Sequence, residues 1–364
     1  MKYINEFRNR KLIERVSRKI FEIMPKKRVR IMEVCGTHTQ SFHRFALKRL
    51  LPASLDLIAG PGCPVCVSDQ SYIDRAIWLS RQRNTVILTF GDMLKVPGTD
   101  TSLQEQRAEG SDVRVIYSAW DALRIAKNNP QKSIIFLAVG FETTAPTLAL
   151  TLLAARKDGL RNLFFFSALK LIPPAMQALL LDRRLNIDGF LCPGHVSAII
   201  GSRAYEFIPK KYKIPCCVAG FEPLDILGGI YLLLHQIAQD RPGVKNQYAR
   251  VVKRNGNPRA RQIIKEAFRI NGATWRGLGK IPQSGLSLRD EFSSFNAEKS
   301  MPIKMKAVRA EKRQKNCRCG EVLKGIIQPD QCQLFAKTCT PVNPYGPCMV
   351  SNEGACNAYY NYKK

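Results

Sequence analysis

The chain carries no phosphate-binding signature: neither G-x-G-x-x-G nor a P-loop lysine motif follows any of its apolar runs. That absence argues against a dinucleotide enzyme. There is also no uninterrupted apolar run of the roughly 18 residues that a membrane-spanning helix needs. Even the patch from Ile230 to Ala238 is broken by His235 and Gln236. No signal peptide precedes the body of the chain, so twelve cysteines in 364 residues do not read as the disulfide framework of a secreted protein. They place the chain in a reducing cytoplasm, where clustered cysteines mean metal or redox chemistry. Acidic residues are scarce as well, 29 against 57 lysines and arginines, for a formal net charge of +28. The basic excess has no zinc-finger spacing and no aromatic RNA-recognition signature beside it. It is spread along the chain, with runs at Lys26 to Arg30, Lys210 to Lys213 and Lys304 to Lys315. We read it as a solvated face or as steering toward an anionic partner rather than as a nucleic-acid interface.

What is present points to a large interior. With 45% apolar and 24% charged residues, a chain of this length exceeds one ordinary core. Leu12, Val16, Ile20 and Met24 recur at four-residue spacing among basic residues, the pattern of an amphipathic helix. Apolar runs then alternate with polar turns and helical stretches: Arg28 to Val34, Leu55 to Ala59, Thr85 to Phe90, Val113 to Tyr117, Ser133 to Val139, Leu163 to Ala168, Phe190 to Cys192 and Cys216 to Ala219. This predicts an α/β fold, two modules with mainly parallel sheets flanked by helices, plus a small cysteine-rich domain. The expected division is an N-terminal helix over residues 1–27, a first α/β domain over 28–130, a second over 131–270, and a linker with the cysteine-rich domain over 271–364. A helix is expected from Pro258 to Ile270, and Gly272 to Ser300 reads as a crossing segment without clear periodicity. Gly140-Phe141-Glu142 is echoed by Gly220-Phe221-Glu222.

In open α/β sheets ligands gather at the carboxyl ends of the strands. Cys35, Cys63, Cys66, Glu142, His195 and Glu222 all follow predicted strands and are candidates for one rim. Cys63 and Cys66, in a Gly-Pro-rich turn at an expected helix N-terminus, form a C-x-x-C pair: a redox switch, half a metal site, or both. Cys35, with His38 three residues on, pairs a soft metal ligand with a base or hydrogen-bond donor, and Thr37 or Thr39 is the expected helix cap. His195 sits on a Gly turn. Cys192, Cys216 and Cys217 lie in apolar runs and are expected to pack. The last stretch holds six cysteines, and Cys317, Cys332, Cys339 and Cys356 give C-x14-C-x6-C-x16-C. Four thiolates suit a [4Fe-4S] cluster or zinc, and the absence of close knuckles favours the cluster. Cys319 is an alternative to Cys317, and Cys348 has no assigned role.

These motifs together resemble the HypD family of [NiFe]-hydrogenase maturation proteins. The resemblance rests on Cys35-Gly36-Thr37-His38-Thr39, Gly60-Pro61-Gly62-Cys63-Pro64-Val65-Cys66, Gly140-Phe141-Glu142-Thr143-Thr144, Pro193-Gly194-His195-Val196-Ser197, and the tail from Cys317 through Tyr345-Gly346-Pro347-Cys348 to Glu353-Gly354-Ala355-Cys356. It implies a redox-active assembly scaffold rather than a conventional turnover enzyme. On it an Fe(CN)2CO group is built, held jointly with a HypC-type small chaperone and supplied with cyanide by a HypE-type protein. Carried over, Cys35 is the iron ligand, Cys63 and Cys66 are the redox-active pair, and His38, His195 and Glu353 are site residues. Cys317, Cys332, Cys339 and Cys356 hold the [4Fe-4S] cluster. The competing expectation is an iron-sulfur-dependent dithiol/disulfide reductase, which gives Cys35 no role. The assembly reading requires Cys35, Cys63 and Cys66 to share one cleft, with the cluster domain packed beside the pair.

Overall fold

Eleven strands among the described residues arrange in two sheets: β1 (Val29–Glu33), β2 (Leu55–Ala59), β3 (Thr85–Thr89), β4 (Asp112–Val115), β5 (Ser133–Gly140), β6 (Leu163–Lys170), β7 (Gly189–Pro193), β8 (Cys216–Ala219), β9 (Val244–Asn246), β10 (Phe268–Trp275) and β11 (Gly279–Leu288). The computed structural model describes residues 4–301 and 316–362; the basic run Lys304 to Lys315 lies outside them. The first sheet has the order β2-β1-β7-β8-β9 and is parallel throughout. The second has the order β10-β11-β6-β5-β3-β4, parallel from β6 to β4 and antiparallel across β10, β11 and β6. The central strands read as continuous apolar runs because helices cover both faces; all five residues of β3 are buried.

The α/β class matches the sequence expectation, but strand pairing does not divide the chain at residue 130. The first sheet takes β1 and β2, then β7 to β9; the second takes β3 to β6 with β10 and β11. Apolar alternation specifies strands, not partners. β1 and β2 alone would leave β1 an open edge, which β7 fills with Ile31 opposite Gly189. The sheets also share a core: Ile135 and Leu137 of β5 lie in one buried cluster with Cys192 and Val218 of β7 and β8.

The segment expected to cross over without periodicity is instead the β10–β11 hairpin. Its outer residues face solvent and Gly272 sits within a bulge between Asn271 and Ala273, which breaks the alternation. The helix before it ends at Ala267, where β10 begins. The N-terminal helix Arg10–Ile23 is capped by Asn9, whose Oδ1 accepts from Leu12 N at 3.2 Å. It buries Ile20 in a cluster with Ile226 and Ile230. The cysteine-rich tail folds as short helices, and the last, Ala355–Tyr362, lies against Gly36–Arg44 with the Tyr359 and His43 rings 4.3 Å apart. Among the described residues no helix is long and apolar enough to cross a membrane.

Candidate metal and thiol site

β1 has β2 on one side and β7 on the other, so the chain order reverses beside β1 and leaves a crevice at the strand ends. The loop after β1 carries Cys35 and His38, and the loop after β2 carries Cys63 and Cys66. His195 follows β7 and Phe221 follows β8. Cys35 itself, in extended conformation, occupies the cap position of helix Gly36–Arg44, where Thr37 or Thr39 was expected. Gly36 N donates to Gly62 O at 3.0 Å. A Cβ on Gly62 would stand 2.2 Å from Cys35 N, so only glycine lets the two cysteine loops touch. The tail closes the same crevice: Thr37 Oγ1 donates to Glu353 Oε1 at 2.6 Å, and a Cβ on Gly36 would meet the Glu353 carbonyl at 2.3 Å.

Both histidines face this crevice across Phe221, which nothing in the sequence singles out beyond its place in the Gly-Phe-Glu echo. The Phe221 ring stands 4.8 Å from His38 and 3.9 Å from His195. His38 Nε2 lies 3.2 Å from Ala219 O and 2.9 Å from Gly220 O. Carbonyls only accept, so Nε2 carries the proton and the buried Nδ1 is an acceptor without a partner among the described residues. Burial lowers the His38 pKa to about 4, keeping it neutral near pH 7. His195, at the exposed rim, is also lowered by burial.

Two acidic candidates lie elsewhere. Glu142 follows β5 in the second sheet and accepts from Ile172 N at 2.9 Å. Glu222 forms an ion pair with Arg8. The Cys35 thiol is pushed up to about 12 by burial and by Glu353, so it holds its proton until a cation displaces it.

Cys63 and Cys66 do not sit at a helix N-terminus. The helix starts at Gln70, capped by Asp69, and the pair occupies the turn before it, where Cys66 N donates to Cys63 Sγ at 3.3 Å. The helix dipole therefore does not act on them directly. Their neighbours are other thiols. Cys66 interacts electrostatically with Cys63 and Cys348, Cys348 with Cys319 and Cys319 with Cys317, while the Cys66 thiol donates to Pro347 O at 3.8 Å. Cys319 and Cys348, which spacing left without a firm role, thus stand between the pair and the tail. Burial raises Cys66, whereas interaction with Cys319 and Cys66 lowers Cys348, favouring thiolate at the middle of the series.

All six tail cysteines line one apolar cavity, with Val322, Leu334, Phe335 and Met349 in its wall. Among the described residues no three His, Cys, Asp or Glu converge as the ligands of a single ion would. Thiols ringing an apolar space are the donors that thiolate-ligated metal ions and iron-sulfur groups take. Gly346 is part of that cradle, since a Cβ there would lie 2.8 Å from Cys317 Sγ. Tyr345 N donates to Cys339 Sγ at 3.4 Å. Cys192, Cys216 and Cys217 are fully buried in β7 and β8, as packing residues.

A family model described as HypD, hydrogenase formation hypA family, matches residues 9–363. The chain is 41% identical to the hydrogenase maturation factor HypD of Cupriavidus necator, over all of this chain and 97% of that protein. It is 42% identical to the Escherichia coli K12 protein of the same name, over all of this chain and 99% of the other. It is 40% identical to a putative hydrogenase expression/formation protein of Methanocaldococcus jannaschii, over 98% of each. The chain belongs to the HypD family of hydrogenase maturation factors.

Proposed function

We propose that this protein is the scaffold on which the Fe(CN)2CO group of [NiFe]-hydrogenase is assembled, with Cys35 holding the iron as thiolate. The observation that carries this reading is the convergence of the Cys35 loop, the Cys63/Cys66 loop and Glu353 on one crevice. Low-spin iron bearing cyanide and CO prefers soft thiolate. Deprotonating a thiol this deeply buried requires the cation itself. A neutral His38 with a free Nδ1 offers an acceptor beside Cys35 without adding charge, and His195 stands at the mouth. A HypC-type chaperone would complete the iron's coordination from the open side, and a HypE-type protein would bring cyanide there.

Cys317, Cys332, Cys339 and Cys356 would hold a [4Fe-4S] cluster, which supplies one-electron chemistry when bound. The thiol series leads from that cavity to Cys66. Closing the Cys63–Cys66 disulfide releases two electrons and two protons, and opening it takes them up, so the pair can serve ligand attachment at Cys35. The same series favours a second reading, a dithiol/disulfide reductase in which Cys35 is idle.

Infrared spectroscopy of the protein purified anaerobically with its HypC-type partner separates the two. Cyanide and CO stretching bands are expected in wild type and absent in Cys35→Ala, with iron and sulfide content unchanged. Bands that persist in Cys35→Ala remove it as the ligand. Absence of bands from a cluster-replete wild-type complex, together with stoichiometric reduction of a protein disulfide, selects the reductase.

A further inference from the structure

A cavity in the second sheet is not accounted for by the chemistry at Cys35. β6 and β11 pair only at Leu169–Leu286 and Lys170–Gly285; beside that short contact the strands part around a cavity of about 190 Å³. Lys170 lines it and is only 4% exposed. Its ammonium donates to Thr274 O at 2.9 Å and stands 5.6 Å from the centre of the Trp275 ring.

An ammonium has three donors, and the carboxylates at this cavity take their hydrogen bonds from other groups, Asp69 acting on Lys170 through space alone. Glu298 pairs with Arg75, and Asp69 caps its helix by accepting from Ser71 N at 3.1 Å and Ser71 Oγ at 2.5 Å. The buried ammonium has one carbonyl and one ring in contact and the charge of Asp69 attracting it through space, which leaves donors open toward the cavity. Burial accordingly lowers Lys170 to about 8, yet it remains mostly charged near neutrality. Neutral hydrogen-bonding groups complete the lining, Asn271 at the β10 bulge and Ser287 on β11. Bulges recur beside functional sites because they re-aim side chains.

We propose that this cavity binds a small oxyanion, a carboxylate of formate or acetate size or a phosphate, seated on the Lys170 ammonium with Asn271 and Ser287 as neutral partners. The site is distinct from the Cys35 crevice but connected to the dithiol loop. Trp275, beside the ammonium, bridges to Ser68, two residues beyond Cys66, and Arg276 Nε donates to Ser68 O at 2.8 Å.

The test is thermal unfolding of the full-length, anaerobically purified protein in formate, acetate or phosphate, against chloride at constant ionic strength. A saturable rise in Tm is expected in wild type, with apparent affinity weakened roughly tenfold or more in Lys170→Met, as for loss of one partner of a buried charge contact. A response to formate or acetate alone assigns a carboxylate, and a response to phosphate alone assigns a phosphate. Equal responses in wild type and Lys170→Met, or none with any anion, overturn the proposal. If Lys170→Met does not fold, the wild-type protein decides through the NMR lines of 13C-formate and phosphate. Broadening that a competing oxyanion reverses supports the site, and lines unaffected by the protein overturn it.

Discussion

Two buried carboxyls hold their protons at pH values where exposed ones have lost them. Burial raises Glu142 from 4.5 to about 7 and Glu33 to about 8, and each leaves one oxygen without a partner among the described residues. The unfolded chain ionises near the ordinary value while the folded chain stays protonated, so the folded state binds more protons in between. The stability from Glu142 is therefore full below about pH 4.5 and lost as pH rises to about 7. The slope is at most about 1.4 kcal/mol per pH unit for one group. Glu142→Gln, nearly isosteric and unable to ionise, is expected to flatten this part of the profile and leave the fall due to Glu33. Chemical denaturation at a series of pH values checks it; an unchanged slope would show that Glu142 is ionised in the folded protein.

At the scale of loops and strands, the turns after β1 and β2 meet through backbone alone. Gly62→Ala places a methyl against Cys35 N, and backbone there has no flexible end to yield. A cost of about 1–3 kcal/mol is expected from such overpacking, read by denaturant unfolding, with faster alkylation of Cys63 as the loops separate. Stability and labelling both equal to wild type would mean that the loops do not touch. This contact was half legible. The glycines and thiols of both loops stood out in the sequence because strand–turn–helix punctuation is local. Which turn meets which depends on sheet order, and nothing in the Leu55 to Ala59 run names β1 as its neighbour. Phe221 was invisible for the same reason: an aromatic after a strand is ordinary until two histidines from other loops close on it. The β10–β11 hairpin was missed because its exposed polar residues and bulged Gly272 erase the period-two signal on which a strand is recognised.

Across the whole molecule, the tail meets the crevice loops at Glu353, beside Cys35, and at Cys348, beside Cys66, in addition to the packing of Ala355–Tyr362 on Gly36–Arg44. Spacing counts ligands along the chain and so assigns Cys348 no role, whereas the fold brings it beside Cys66, 282 positions away along the numbering. In the folded protein its thiol is coupled electrostatically to both Cys66 and Cys319. Thiol–disulfide exchange needs a thiolate within reach of the sulfur it attacks, so Cys348 is where the tail and the dithiol loop can pass electrons. Cys348→Ala removes that link and only a small volume. Iron and sulfide content should match wild type, since four other cysteines are available to the cluster. Reduction of an oxidised Cys63–Cys66 pair by a one-electron donor, followed by anaerobic thiol labelling of the two cysteines, should slow by roughly tenfold or more, because the series is cut at its connecting sulfur. A small dithiol reductant added from solution should bypass the cut and reduce both proteins at similar rates. Unchanged kinetics with the one-electron donor would show that electrons reach Cys66 without Cys348, and the tail would then be a structural clamp on the crevice.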